Sequence, residues 1–249
     1  ARAHNRLYGR AKVRSGRAWT LLYAHFPRTL RKNRRAFGVA AALFVLPLLL
    51  TLGGTLADPE LASRVVPRDS LRGAAEAYST GFRGRSESYD TQMFGFYIYN
   101  NVGIAFRCFA TGILFGLGSA FFLVYNGLAI GAVLGFVIQA GHGKHILTFV
   151  CGHGPFELTA IVISGAAGLR LGWALLETGG LTRLGSVRAA SNELVTLVLG
   201  AGAMLVIAAI IEGYWSPSGL PYAVKWGAGA AFTALVTVWL TFAGRERPA

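Results

Sequence analysis

The sequence has few charged residues, and most of those that it has are basic. Asp, Glu, Lys and Arg together occupy 14% of its 249 positions, and Lys plus Arg number 24 against 11 for Asp plus Glu. A soluble domain needs a polar face on each surface helix, so this scarcity and a mean hydropathy of +0.48 exclude an ordinary soluble fold. Several apolar runs approach or exceed the roughly 20 residues that cross a bilayer. The composition therefore predicts an all-α, polytopic helical membrane protein.

Cysteine is scarce as well, and the common catalytic motifs are missing. Cys108 and Cys151 lie in apolar runs and form no CxxC pair, and an isolated cysteine in such a run is usually a small buried hydrophobe. The sequence also contains no GxSxG elbow, no Ser/His/Asp arrangement and no phosphate-binding P-loop. We therefore predict a protein that is not an enzyme and has no cofactor.

The apolar runs predict about six transmembrane helices. Between the second and third, Tyr125-Asn126-Gly127 is predicted to reverse the chain, because Asn-Gly favours sharp turns. A broken or re-entrant helix near 141–155 is the main alternative in the middle of the chain. In chain order, the predicted spans are 37–57, 97–124, 128–140, 146–169 (or 155–176), 194–211 and 222–242.

Loop charge predicts the topology, because Lys and Arg accumulate on the cytoplasmic side of a membrane. With the N-terminus inside, the cytoplasmic segments carry sixteen Lys and Arg residues against seven outside. We therefore expect a multi-pass membrane protein with both termini in the cytoplasm. The predicted regions are a basic membrane-surface arm at 1–36, transmembrane helix 1 at 37–57, an extracytoplasmic loop at 58–93 and a multi-span core at 94–249.

The basic arm raises the question of nucleic-acid binding. The run RTLRKNRR at 28–35 could neutralise phosphates of a nucleic acid or of lipids. Directly before a membrane span, however, such a cluster orients the protein and attracts anionic headgroups. Trp19, Tyr23 and Phe26 beside these charges are typical of a helix on the inner leaflet. We expect anionic lipids as partners, together with other membrane proteins, and no nucleic acid.

Glycines recur at helical spacing on the second, third and fourth spans. Small residues three or four positions apart form a flat face on which helix backbones approach closely in lipid. These faces serve either the core of one chain or self-association, and because there are several of them we expect a homo-oligomer. The predicted packing glycines are Gly112, Gly116, Gly127, Gly131, Gly135, Gly165 and Gly168.

Ionisable side chains inside or at the end of a membrane span are costly and usually functional. We single out Arg107 in the second span, His153 and Glu157 in the fourth, and Glu212 at the end of the fifth. The predicted topology puts all four in the outer half of the membrane. His153 and Glu157 are four residues apart and would share one face of a continuous helix. We therefore predict an intramembrane polar cluster of these four side chains.

The segment CGHGPFELT around this pair has a structural explanation, which we favour. Gly154 would cap a helix, Pro155 would occupy its first position and Glu157 its third. Proline suits that first position because its missing N–H has no partner within the helix anyway. A glutamate at the third position can accept a hydrogen bond from the cap N–H.

Two functional explanations stay open beside the cap. His153 and Glu157 could belong to a proton or ion path, because histidine titrates near neutral pH. They could instead bind a metal, with His142 and His145 giving three histidines within twelve residues. The spacing H-x-x-x-E lacks the second histidine of the HExxH pattern, so we predict neither a metal ligand nor a catalytic residue here.

Three segments of the chain resemble the stage II sporulation protein M family of bacterial membrane proteins. They are YNNVGIAFRCFATGILFGLGSAFFLVYNGLAIGAVLG, HGPFELTAIVISGAAGLRLG and IEGYWSPSGLP. Cys151 departs from the pattern, since a proline is expected two residues before the histidine. The residues that match recurring motifs of the family are Asn101, Asn126, Gly127, His153, Gly154, Pro155, Glu157, Glu212 and Gly213.

This resemblance implies an inner-membrane protein to which no enzymatic reaction is assigned. The named member acts in spore formers with peptidoglycan-remodelling proteins at the engulfing septum, as a membrane anchor or organiser. We therefore expect a non-enzymatic scaffold of a cell-envelope complex, either sporulation-like or peptidoglycan-remodelling. The alternative is a transporter or channel with a proton or ion path past His153 and Glu157.

Overall fold

The computed structural model describes residues 19–80 and 87–245, so the first half of the predicted arm at 1–36 lies outside the described residues. Within the described ranges the regular structure is helical and contains no strand, which confirms the all-α prediction. The α-helices are α1 (Phe26–Lys32), α2 (Arg34–Ala57), α3 (Glu60–Ser63), α4 (Arg68–Ala77), α5 (Glu87–Ala110), α6 (Leu117–Val137), α7 (Gly143–Leu176), α8 (Arg183–Ile210) and α9 (Tyr222–Phe242).

Four helical stretches of the described chain are long and apolar enough to cross a membrane. They are Arg34–Ala57, Leu117–Leu176, Arg183–Trp215 and Tyr222–Phe242. The second stretch has 60 residues and consists of α6 and α7, which are joined across Gly141 at a φ of +87°. The fold is therefore that of a helical membrane protein, and the break predicted near 141–155 lies at Gly141.

Helices α6 and α7 form an antiparallel pair with a glycine seam. Gly165 lies against Leu123, and Gly172 lies against Gly116. Residue numbers therefore rise along one helix as they fall along the other. Gly168 lies between these two contacts and also faces the end of α5. The absence of side chains along this seam lets the backbones of three helices meet.

Helix α2 packs in parallel against α6 through a second row of glycines. Gly127 lies against the carbonyl oxygen of Phe44, and Gly131 lies against that of Leu48. Gly135 continues the row near the end of α2. Every fourth residue of α6 is therefore used for close backbone contact with α2.

The glycines predicted to pack helices all contact another segment of the same chain. Their use within one subunit removes the argument from which a homo-oligomer was expected, and the oligomer stays a prediction. The glycines concerned are Gly112, Gly116, Gly127, Gly131, Gly135, Gly165 and Gly168.

The reversal predicted at Tyr125-Asn126-Gly127 is wrong, because these residues lie inside the continuous helix α6. The side-chain amide of Asn126 donates to the carbonyl oxygen of Phe122 at 2.7 Å, one turn earlier. Asn-Gly is therefore compatible with a helix here, since the amide has a partner on its own helix and the glycine serves a helix contact.

The chain reverses instead between α5 and α6. A short 3₁₀ turn, Thr111–Ile113, follows α5. Phe115 and Gly116 then adopt the left-handed conformation, with φ values of +54° and +85°. Left-handed residues commonly end a helix, and glycine adopts that conformation without strain.

Pro155 lies inside the continuous helix α7, so the interpretation of Gly154, Pro155 and Glu157 as a helix start is wrong. A proline in a helix frees the carbonyl four residues earlier, which here is that of Cys151. Gly229 of α9 approaches so closely that a Cβ atom on it would lie 2.6 Å from this oxygen. The neighbouring helix thus covers the carbonyl group that the proline leaves free.

The described part of the basic arm packs against the bundle. The guanidinium of Arg31 donates to the carbonyl oxygens of Leu240 at 2.8 Å and Ala243 at 2.7 Å, at the C-terminus of α9. A cation there also complements the helix dipole. Lys32 pairs with Glu193 of α8. The arm and the end of α9 therefore share one end of the bundle, which we call the terminal end, and the opposite end is the far end.

The predicted loop at 58–93 contains two short helices that pack on the far end. Leu71 is 1% exposed and forms a small apolar cluster with Ala62 and with Ala132 of α6. Asp58 accepts a hydrogen bond at 3.0 Å from the backbone N–H of Glu60, which fixes the start of α3. Helices α3 and α4 thus form a folded platform.

Candidate functional site

Four helical segments converge between the middle and the far end of the bundle. They are α5, α7, α9 and the π-helical turn Ile211–Trp215 that continues α8. Gly152 of α7 lies against the indole ring of Trp215, and Gly213 lies against Phe94 of α5. These glycines bring α7 and the π-turn close together, and the π-turn close to α5.

The π-turn directs an acidic side chain into this convergence point. The backbone N–H of Ser216 donates to the carbonyl oxygen of Ile211 at 2.7 Å, a bond that spans five residues. Such turns are rare and frequently occur at functional sites. Glu212 lies in the turn and is only 8% exposed.

Three ionisable side chains meet at this point, and we call them the His–Glu–Glu cluster. The Nε2 atom of His153 lies 3.8 Å from Oε2 of Glu157 and 4.0 Å from Oε1 of Glu212. One donor atom from each side chain lies within 4.8 Å of the other two. The distances from Nε2 exceed the roughly 3.2 Å of a normal hydrogen bond. The three atoms therefore surround a common point without bonding to one another directly.

Two of these side chains are anchored on their other polar atom. Nδ1 of His153 lies 3.3 Å from the hydroxyl of Ser216. Oε2 of Glu212 accepts from the amide of Asn101 at 3.3 Å. Lys225 in turn donates to the carbonyl oxygen of Ser216 at 2.6 Å and holds the end of the π-turn. The anchors direct Nε2 of His153 and Oε1 of Glu212 towards the common point.

Glu157 differs because its inward oxygen has no hydrogen-bond partner among the described residues. Its Oε2 atom is inaccessible to solvent, although 14% of the side chain as a whole is exposed. An unsatisfied buried oxygen costs roughly 1–3 kcal/mol, and more when it is charged. A buried site of this kind requires a proton or a cation to balance the carboxylates.

Arg107 does not join the other three residues predicted for the cluster. It is exposed on α5, six residues beyond Asn101. Because an α-helix turns by about 100° per residue, six residues separate the two side chains by about 240°. The ion pairs of Glu157 and Glu212 within the described chain are both with His153.

The histidines considered as additional metal ligands also lie elsewhere. Nδ1 of His145 contacts the carbonyl oxygen of Tyr78 at 2.6 Å, beyond the end of α4. His142 belongs to the π-helical turn Ile138–His142 before α7. The third potential ligand beside His153 and Glu157 is therefore Glu212, which is distant in the sequence.

Sequence reasoning missed two contributors, Ser216 and Lys225. Ser216 is 0% exposed and Lys225 is 4% exposed. A lysine three residues into α9 looks like a loop cation, and a serine in WSPSG looks like a turn residue. The available signal was the proximity of both to Glu212 in the chain, together with the resemblance that ends just before Lys225.

The arrangement can hold a positive species between two carboxylates, and it can hold or pass a proton. The hydroxyl of Ser216 contacts the ring nitrogen Nδ1 of His153, whereas Glu157 and Glu212 lie near Nε2. The three side chains have the features of a binding or proton-holding site.

Comparison with known proteins identifies related sequences. The sequence profile of one family, described as Stage II sporulation protein M, matches residues 16–217. An uncharacterized protein of the archaeon Methanocaldococcus jannaschii is 28% identical over 125 residues, which cover 47% of this chain and 67% of that protein. No solved structure matches the chain. The family match includes His153, Glu157 and Glu212 and ends before α9.

Proposed function

Because the chain belongs to the Stage II sporulation protein M family, we propose that it is a non-enzymatic scaffold of the bacterial inner membrane that organises a cell-envelope complex. Its partners would be peptidoglycan-remodelling or other envelope proteins. The proposal accounts for a rigid helical core that carries folded surfaces at both ends.

The observation that carries this proposal is the packing between the His–Glu–Glu cluster and the terminal end. Over residues 158–169 of α7 and 194–210 of α8 the sequence has no ionisable side chain. In the structure Ile163 and Ala167 of α7 are 0% exposed, as are Leu197 and Met204 of α8. An ion or proton path needs polar groups at successive depths, so this packing favours a scaffold over a conduit.

The orientation follows from the arm. Arg31 and Lys32 hold the arm at the terminal end, where α9 also ends. Since basic residues next to a span accumulate on the cytoplasmic side, we place the terminal end in the cytoplasm. The far end, with the platform of α3 and α4, then faces outwards.

The platform is the surface that we assign to envelope partners. Arg72 and Glu76 are exposed on α4. A small groove of about 130 Å³ lies beside Arg72, between α3, α4 and α6, with Leu71 and Phe136 in its lining. The groove combines these apolar side chains with charged ones such as Glu60 and Arg72, and protein interfaces commonly have an apolar centre with a polar rim.

A photo-crosslinking experiment in cells tests this assignment. A photoreactive residue replaces Arg72 on the platform or, as a matched control, Val238 on the exposed face of α9. We expect discrete protein adducts from position 72, including envelope enzymes or neighbouring membrane proteins, and mainly lipid adducts from position 238. If position 72 gives no protein adduct, or the same adducts as position 238, the scaffold proposal fails.

Transport is the second candidate, and the unpartnered oxygen of Glu157 is the observation in its favour. A proton or ion path past His153 and Glu157 would use that oxygen as a transient binding group. Protein reconstituted in vesicles would then show a flux that Glu157→Gln abolishes. A flux that Glu157→Gln leaves unchanged would remove this role for the carboxylate.

A further inference from the structure

The His–Glu–Glu cluster has the donor set of a metal site. We propose that His153, Glu157 and Glu212 bind one divalent first-row transition-metal ion, of which Zn²⁺ is the representative. The inference is independent of the proposed scaffold function, since it concerns what the cluster binds and makes no assumption about the partners of the chain.

The donor atoms must move closer together around an ion, and glutamate side chains are flexible enough for this. Metal bonds of about 2.0–2.2 Å at tetrahedral angles place donor atoms about 3.3–3.6 Å apart. The observed separations from Nε2 of His153 are 3.8 Å to Glu157 and 4.0 Å to Glu212, and all three donor atoms lie within 4.8 Å of one another. Contractions of at most about 1.5 Å, through changes of the carboxylate rotamers, therefore bring the set to ligand geometry.

The outer contacts orient the donor atoms as metal sites require. A metal-binding histidine normally donates its other ring N–H to a neighbouring acceptor, which leaves the coordinating nitrogen free. The hydroxyl of Ser216 lies 3.3 Å from Nδ1 of His153 and can accept that hydrogen bond. The side-chain amide of Asn101 donates to the outer oxygen, Oε2, of Glu212 at 3.3 Å. The inward atoms Nε2 and Oε1 then both present lone pairs to the same point.

A divalent ion satisfies both the charge and the donor atoms of this site. Two ionised carboxylates beside a neutral histidine carry two negative charges in a site that is almost closed to water. Protons on the carboxylates would remove this charge, but they would not join the three inward atoms. A divalent cation removes the charge and bonds all three atoms at once, including Oε2 of Glu157, which has no hydrogen-bond partner among the described residues. Buried charges of one sign are tolerated when they coordinate a metal.

The ligand types select the class of metal. Imidazole is suited to Zn²⁺, Fe²⁺ and Ni²⁺, whereas Mg²⁺ and Ca²⁺ prefer sites made of oxygen atoms alone. One nitrogen and two carboxylates therefore favour a transition metal. Three protein ligands also leave a fourth position for water or for a group from another molecule.

Metal titration of the full-length chain tests the proposal. Protein purified in detergent is stripped with EDTA, dialysed and titrated with Zn²⁺ in competition with a fluorescent chelator, and bound zinc is counted by plasma mass spectrometry. We expect about one Zn²⁺ per chain. His153→Gln, Glu157→Gln and Glu212→Gln should each weaken binding by at least about tenfold, since even the outer contacts of a metal site are worth 10–100-fold.

The matched control is Glu193→Gln. It removes a carboxylate from α8, the helix that the π-turn with Glu212 continues, but at the terminal end of the bundle. It should leave zinc affinity unchanged. His145→Gln controls for binding at the far-end histidine. No zinc bound by folded wild-type protein would overturn the proposal, and so would binding that survives all three cluster variants. Mg²⁺ competing as well as Zn²⁺ would overturn the assigned metal class.

Two further variants keep the test decisive if a glutamine variant does not fold. Glu157→Asp retains a carboxylate one methylene shorter and should bind zinc more weakly while staying monodisperse. His153→Cys replaces imidazole by thiolate, a softer ligand, so it should shift the preference from Zn²⁺ towards Cd²⁺. If the Cd²⁺ to Zn²⁺ preference of His153→Cys equals that of the wild type, His153 is not a ligand.

Discussion

Gly168→Ala tests the glycine seam that joins α5, α6 and α7. A Cβ atom at this position would lie 2.5 Å from the carbonyl oxygen of Cys108 and 2.9 Å from that of Phe109, and closer still to the hydroxyl of Ser119. Real Cβ atoms do not approach so closely. Two of the three obstacles are backbone groups near the end of α5, so no side-chain rotation relieves the clash.

The expected cost can be estimated from two opposing effects. Overpacking of a core by a methyl group costs about 1–3 kcal/mol, and the backbone obstacles here put the cost near 3 kcal/mol. Replacing glycine by alanine inside a helix by itself stabilises it by about 1 kcal/mol. The net loss is about 2 kcal/mol, which is roughly a 30-fold shift of the folding equilibrium.

The matched control is Gly202→Ala in α8, where an added Cβ meets nothing within 4 Å. It should be neutral or slightly stabilising. Unfolding in mixed micelles with increasing SDS, followed by circular dichroism, measures the difference. Maleimide labelling of Cys108, which is 0% exposed, reports the same seam locally and should rise in Gly168→Ala alone. Equal stability of the two variants, with Cys108 still protected, would refute the close contact.

Other contacts give further predictions. Arg31→Gln removes two charged hydrogen bonds to the end of α9. Limited proteolysis near residue 31 should become faster, while the α-helical circular dichroism signal stays unchanged. An unchanged rate of cleavage would contradict the contact between the arm and α9. Lys225→Met removes the donor of two hydrogen bonds to carbonyl oxygens, each worth about 1.5–3 kcal/mol. The SDS concentration at the midpoint of unfolding should therefore fall, and maleimide should label Cys151 faster. An unaltered midpoint would refute this role of Lys225. Asn101→Ala removes the hydrogen bond to the outer oxygen of Glu212 and should weaken Zn²⁺ binding by about tenfold or more. The same competition with a fluorescent chelator measures this affinity. An unchanged affinity would count against the role of Asn101 in orienting Glu212.

Hydropathy predicted the fold class and those helix ends that coincide with the end of an apolar run. The predicted last span, 222–242, coincides with α9, and the first, 37–57, ends with α2 at Ala57. The start of α2 at Arg34 was missed because basic residues continue the helix out of the apolar region. Length and hydropathy determine how many residues cross a membrane, whereas they carry little information about where a helix begins in the interface.

The turn at 125–127 was predicted wrongly because the turn preference of Asn-Gly in soluble proteins was applied to a membrane helix. In soluble proteins Asn-Gly favours a turn because both residues adopt positive φ readily and the asparagine side chain can bond to the nearby backbone. In α6 the amide of Asn126 bonds within its own helix, and Gly127 lies against Phe44. The real reversal at Phe115-Gly116 had no distinct sequence signal, because glycines are frequent throughout the run.

The sequence predicted the depth of the site residues in the membrane, but it did not predict the direction in which each side chain points. Helix rise from sequence placed Arg107, Glu157 and Glu212 at similar levels, and the i, i+4 spacing placed His153 beside Glu157. The direction of each side chain around its helix depends on how the helices rotate against one another, and packing decides that. Arg107 consequently points away from the cluster, while the π-turn, which no periodicity predicts, directs Glu212 into it.

Several features that reduce the stability of the fold lie at the depth of the His–Glu–Glu cluster. Pro155 interrupts the hydrogen bonding of α7 at a cost of about 3 kcal/mol in an ordinary helix. The π-turn widens α8, Lys225 is buried, and Glu157 holds an oxygen without a partner. Single exceptions also occur elsewhere, such as Pro47 inside α2 and the π-helical turn Ile138–His142, but here four of them lie beside ionisable side chains. Natural sequences break such rules mainly where function requires it. The concentration of four exceptions around the His–Glu–Glu cluster is therefore the strongest structural reason to look there, rather than in the glycine seams, for what this membrane protein binds.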